Sequence, residues 1–120
     1  MIGSAAVALH GADPGDIADV DVLLGVRDAE RLLPTLDLPV AAGSPDARFR
    51  SAVFARWTAP PLEVELMAGL EVRGATGWTP VHPATRVGVA GVFVPERAEL
   101  TAILHRFGRD KDHARAALLG

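Results

Sequence analysis

The stretch Asp19-Val20-Asp21-Val22-Leu23-Leu24 constrains the chain most. Polar and apolar residues alternate at first and the segment then becomes fully apolar, the pattern of a buried strand. Alternation places the Asp19 and Asp21 side chains on the same face, about 6–7 Å apart along the strand. Two adjacent carboxylates repel each other and desolvate poorly unless a cation joins them. Magnesium suits such a pair, because it takes hard oxygen ligands and leaves positions for substrate phosphates.

Glu63 and Glu65 repeat the spacing further along the chain. Two β-rich stretches, Ser51 to Thr58 and Leu62 to Leu66, flank Ala59-Pro60-Pro61, where the prolines cannot donate to a ladder and favour a turn. A hairpin follows, with both glutamates on one face of its second arm. If that arm neighbours the Asp19–Leu24 strand, three or four acids converge. Glu65 and Glu63 compete for the third position, and both could instead form the outer face of an amphipathic strand with Val64 and Leu66 inside. An Asp-x-Asp pair by itself is more often a solvated face than a metal site.

At 120 residues the chain is the size of one domain, expected to span 1–120. Apolar residues make up 49% and aromatics only 5%, so a core of small aliphatic side chains fits mixed sheet–helix packing. The lack of cysteine removes disulfides, zinc–thiolate sites and thiol nucleophiles. A net charge of −3 argues against broad, sequence-independent nucleic-acid binding, which rests on a basic surface. It leaves room for a local basic pocket, and Arg97, Arg106, Arg109, Lys111 and Arg115 all fall in the last quarter. No apolar run reaches eighteen residues, so no transmembrane helix and no membrane partner are expected. The start, Met1-Ile2-Gly3-Ser4, does not resemble a secretion signal, and a cytoplasmic protein is expected.

Ser4 is a good N-cap for a first helix to Leu9, followed by a loop at Gly11, Pro14 and Gly15. Asp28 is predicted to cap a helix to about Leu36, and Pro39 to Ala42 to form a small strand. Residues 69–85, rich in Gly, Thr and Pro, carry no assigned element, and Arg86 to Val94 reads as a further strand. Pro95 is placed in the first turn of a helix whose apolar face is Leu100, Ile103, Leu104 and Phe107 and which ends at Gly108. Asp110 is expected to cap a last helix to about Leu119. The order α-β-α-β-β-β-α-α is that of an α/β or α+β fold, helices flanking one mixed β-sheet.

Other residues give weaker signals. His10 ends the first helix, where the helix dipole favours it. His82, His105 and His113 show no His-x-x-x-His or His-x-Glu spacing, so no zinc site is expected. Trp57 and Trp78 read as core or sheet-face residues, with base stacking by Trp78 the sharper alternative. Ser4 has no hydrolase motif around it. Asp110 and Asp112 could serve only as helix caps and a surface ion pair.

Ile2-Gly3-Ser4, a short helix and loop, then Asp19-Val20-Asp21-Val22 resembles the signature of the DNA-polymerase-beta-like nucleotidyltransferase superfamily. Residues 3–11, Gly-Ser-Ala-Ala-Val-Ala-Leu-His-Gly, look like the Gly-Gly-x-Ala-Leu-x-x-His-Gly form of small bacterial members, including minimal toxin–antitoxin types. Residues 107–112, Phe-Gly-Arg-Asp-Lys-Asp, look like their Gly-Arg-x-Lys-Asp segment. The resemblance implies a nucleotidyltransferase fold. It implies Mg2+ held by Asp19 and Asp21, with Glu65 as third metal ligand and catalytic carboxylate, where the family usually has Asp. It implies that Gly3 and Ser4 hold the NTP triphosphate, that Arg109 and Lys111 face phosphate or acceptor, and that Asp112 braces them. The reaction implied is transfer of a nucleoside monophosphate to a hydroxyl of a protein, RNA or small molecule.

Asp16-Ile17-Ala18 stands where many small members have Arg-x-Thr, leaving an acid in place of a base. A catalytically impaired binding or interaction module on the same fold is therefore the alternative. An abbreviated first strand would leave an unpaired sheet edge suited to a homodimer.

Overall fold

The computed structural model describes residues 1–120. Its elements are α1 (Gly3–Leu9), β1 (Asp19–Leu24), α2 (Val26–Thr35), β2 (Phe49–Arg50), β3 (Val53–Trp57), β4 (Glu63–Ala68), β5 (Glu71–Gly74), β6 (Gly77–Pro80), β7 (Val87–Val89), β8 (Val92–Val94), α3 (Arg97–Phe107) and α4 (Asp110–Leu118). The chain groups into two compact units, residues 1–20 with 82–120 and residues 21–81. The result is a mixed α+β architecture, as expected. The strands, however, form three small sheets, ordered β1-β4-β3, β2-β5-β6 and β7-β8, where the sequence predicts one.

The first unit is organised around Ala6, Val7, Val94, Leu100, Leu104, Ala116 and Leu119. Gly3 opens α1 with φ 72°, a left-handed conformation that side-chain-bearing residues adopt only with strain. At the other end of α1, His10 Nε2 lies 2.7 Å from the Pro95 carbonyl oxygen. Arg97 donates to the His10 carbonyl at 2.7 Å and the Leu119 carbonyl at 2.8 Å. One guanidinium thus satisfies carbonyls beyond the ends of two helices, where the backbone has no helical donors left.

Helix α3 begins at Arg97 with Glu96 as its cap residue, so Pro95 lies outside the helix and not in its first turn. The Glu99 carboxylate organises this entry. It accepts from the backbone N–H groups of Ala84 and Thr85 and from the Thr85 hydroxyl, and that hydroxyl accepts from the Glu96 N–H. These bonds, the Thr85 hydroxyl first, hold the Glu99 carboxyl below its ordinary pKa. Gly108, with φ 72°, terminates α3 and returns its N–H to the Leu104 carbonyl, as an αL cap does. The cap residue of α4 is Arg109 and not Asp110, which is the first helical residue.

In the second unit β3 and β4 form the expected antiparallel hairpin, with Arg56 opposite Glu65 and Trp57 opposite Val64. Helix α2 supplies Ala29 and Leu33 to a core with Val53, Ala55, Leu66 and Ala68, flanked by Val22, Leu24, Trp57 and Val64. The helix starts at Val26, leaving Asp28 in its first turn, where a carboxylate suits the helix dipole. It ends at Thr35, just after Pro34.

Three segments differ from expectation. Residues 39–42 are not a strand. Ala41 accepts from the Phe54 N–H, but Pro39 has no N–H to continue a ladder. Residues 86–94 are a hairpin and not one strand, with Val87 opposite Val94 and a turn through Ala90 (φ 51°) and Gly91 (φ 83°). Two successive positive φ values match the tight hairpin turns that follow strand twist. The third segment, 69–85, holds the β5–β6 hairpin, in which Arg73 faces Trp78.

Candidate metal centre

Strand alternation divides the β1-β4-β3 sheet into an apolar face and a mixed one, the second carrying the acids together with Leu23, Phe54 and buried Met67. Val22 and Leu24, Val64, Leu66 and Ala68, and Val53, Ala55 and Trp57 all point to the core beneath α2. Their alternates, Asp19 and Asp21 on β1, Glu63 and Glu65 on β4, and Phe54 and Arg56 on β3, take the other face. β1 lies beside β4, and this adjacency makes a cluster out of two separate sequence pairs.

One carboxylate oxygen from each of Asp19, Asp21 and Glu65 falls in a group whose members all lie within 4.8 Å of one another, and all three residues are half-buried. Of the two competing glutamates, Glu65 is the one in this group. Its side chain is 20% exposed, against 35% for Glu63. Three negative charges this close, with restricted solvent, repel one another. The donor set is all oxygen, which fits a hard divalent cation such as Mg2+ and offers nothing to a thiophilic metal.

Arg56 is a site residue the sequence does not announce. Its guanidinium lies 3.4 Å from Glu63 Oε1 through Nε and 3.4 Å from Glu65 Oε1 through Nη2. At 56% exposure it is a solvated counter-charge at the long end of ion-pair contact. The only signal for it is register: an arginine one residue before Trp57 falls opposite Glu65 once the Pro60-Pro61 turn is fixed.

The remaining expected site residues fall at helix starts. Gly3 and Ser4 are the first two residues of α1 and both are buried. Lys111 is exposed in the first turn of α4. Arg109 and Asp112 are brought together: Asp112 is fully buried and accepts from Arg109 Nε at 2.6 Å, from Nη2 at 3.0 Å and from the Arg109 backbone N–H at 3.2 Å. This forked geometry is the strong form of the arginine–carboxylate pair. Asp112 therefore caps the start of α4 and orients Arg109, in a pair whose carboxylate is buried and not at the surface. No helix is long and apolar enough to cross a membrane.

No family model matches the chain, and no curated protein matches it. Among solved structures, the crystal structure of a Thermotoga maritima protein, itself a proposed nucleotidyltransferase, superposes with a TM-score of 0.61 at 22% identity. The match covers 87% of this chain and 70% of that one. At that identity the likeness concerns the backbone. The chain has a nucleotidyltransferase-like α+β fold, and its β1-β4-β3 sheet carries a half-buried three-carboxylate cluster on the face turned away from α2.

Proposed function

We propose that the chain is a minimal, divalent-metal-dependent nucleotidyltransferase of the DNA-polymerase-beta-like superfamily, moving a nucleoside monophosphate from an NTP to a hydroxyl acceptor. The observation that carries this reading is the convergence of Asp19, Asp21 and Glu65 within 4.8 Å. The fold shared with the Thermotoga maritima protein supports it.

In this reading Asp19, Asp21 and Glu65 hold Mg2+, which when bound neutralises charge on the triphosphate and on the leaving pyrophosphate. Glu65 also accepts the proton of the attacking hydroxyl. The Gly3 and Ser4 backbone, at the start of α1, is assigned to the triphosphate. Arg109, its guanidinium oriented by Asp112, and exposed Lys111 are assigned to phosphate or acceptor. The acceptor is a hydroxyl of a protein, RNA or small molecule.

Calorimetry of NTP binding with and without Mg2+ tests the proposal. Binding that requires Mg2+ and disappears in Asp19→Asn and Asp21→Asn supports it, and a wild-type protein that binds no NTP under either condition rules catalysis out.

The Arg56 pairing favours a second reading, a fold-sharing interaction module in which Arg56 supplies the counter-charge without a metal. That module predicts a melting temperature indifferent to Mg2+ plus NTP, and a ligand-induced rise would exclude it.

A further inference from the structure

We propose a second metal site, independent of the carboxylate cluster: a two-imidazole clamp formed by His105 and His113 that binds a divalent transition-metal ion and ties α3 to α4. The two histidines are eight residues apart, a spacing that matches no single-helix ligand motif. The left-handed turn at Gly108 brings α4 back beside α3, and the two rings meet across the helix pair. Their Nδ1 atoms are 3.0 Å apart, with ring centroids separated by 5.2 Å and planes tilted by 41°.

That spacing is the span of a metal's neighbouring ligands. With a metal–imidazole bond of about 2.0–2.1 Å, two ligands at a right angle lie about 2.9 Å apart, and two in a tetrahedron about 3.4 Å. The observed separation falls between these, so the two Nδ1 atoms already stand at a chelate's spacing, and rotation of the rings turns their lone pairs from each other onto a shared ion. Leu100 and Leu104 of α3 share a core with Ala116 of α4, and the Arg109–Asp112 fork fixes the first turn of α4. The helices thus hold the two histidines at this spacing, and both residues are exposed, so the rings can turn toward an ion and water can complete the coordination sphere.

Without metal, one Nδ1–H donates to the other ring's Nδ1. Metal binding uses both Nδ1 lone pairs, so a ring with its proton on Nδ1 carries it on Nε2 instead. Imidazole nitrogen selects ions of the Ni2+, Cu2+ and Zn2+ kind over Mg2+, opposite to the preference of the all-oxygen cluster.

The test is a calorimetric titration with Ni2+ on the full chain carrying Asp19→Asn and Asp21→Asn, which removes competing carboxylates. One Ni2+ per chain is expected. Affinity should fall about tenfold or more when either His105→Gln or His113→Gln is added, because a second tethered ligand acts at high effective concentration. On unsubstituted protein, Ni2+ should broaden the NMR signals of α3 and α4 around both histidines, and Mg2+ should leave them unmoved. Absence of a one-to-one site, an affinity that survives both histidine substitutions, or broadening centred elsewhere would overturn the proposal.

Discussion

Two arginine–carboxylate associations in this molecule have the same chemistry and opposite character. At the start of α4, Asp112 has 1% of its side chain exposed and is held by a short fork from Arg109. On the outer face of the β1-β4-β3 sheet, Glu65 shares Arg56 with Glu63 at 3.4 Å, and Arg56 is mostly in solvent. The first carboxylate is committed: its oxygens are occupied and water cannot replace its donors. The second is only loosely compensated and lies in a cluster with two more acids. Burial and geometry, more than residue type, separate an acid that holds the fold from one available to a ligand.

The two pairs should respond differently to substitution. Asp112→Ala should have the largest effect, a loss of about 2–3 kcal/mol in urea unfolding, because it removes several charge-assisted bonds at a buried position. Arg109, at 36% exposure, can rehydrate, which keeps the cost below that of stranding a buried charge. A loss under about 0.5 kcal/mol would mean that Asp112 is not structural.

Glu99 sharpens the contrast, since uncharged donors hold its carboxylate. Its folded pKa lies below the ordinary 4.5, so its stabilisation is fully present above that value and is lost as pH falls through the folded pKa. Glu99→Gln should therefore be less stable than wild type at pH 7. The gap should narrow progressively below about pH 4.5. A gap that stays constant down to pH 3 would show that the hydrogen bonds do not depend on the charge.

Arg56→Ala should have the smallest effect on stability, below about 1 kcal/mol, as exposed ion pairs contribute little. Metal affinity should rise several-fold as the competing cation disappears. A fall in affinity would make Arg56 an orienting residue for Glu65 and not a rival of the metal.

The sequence carries the acid strand well, because alternation in residues 19–24 is local and survives into the fold as β1, although all six residues are half-buried and not buried as the apolar run suggests. The β3–β4 hairpin was legible for the same reason, two β-rich arms around a proline turn. What it could not show was adjacency. Nothing in the chain order says that β1 lies beside β4 or that His105 meets His113 across Gly108, and Arg56 falls opposite Glu65 only once the hairpin register is fixed. The β5–β6 and β7–β8 hairpins were obscured because strands of three or four residues are too short for periodicity to emerge. The Ala90-Gly91 turn needs positive φ at an alanine, which composition does not flag. Residues 39–42 illustrate the converse, strand-like residues that form no strand and accept one backbone bond, from the Phe54 N–H to the Ala41 carbonyl.

The most direct test of the central claim, that Asp19, Asp21 and Glu65 form a divalent-metal site, is a Mn2+ titration followed by electron paramagnetic resonance. Mn2+ stands in for Mg2+ because both are octahedral and oxygen-seeking. Saturable binding is expected that is strongly weakened in Asp19→Asn, Asp21→Asn and Glu65→Gln alike and that Mg2+ displaces. Binding that is absent from wild type, or unchanged in all three variants, would contradict it.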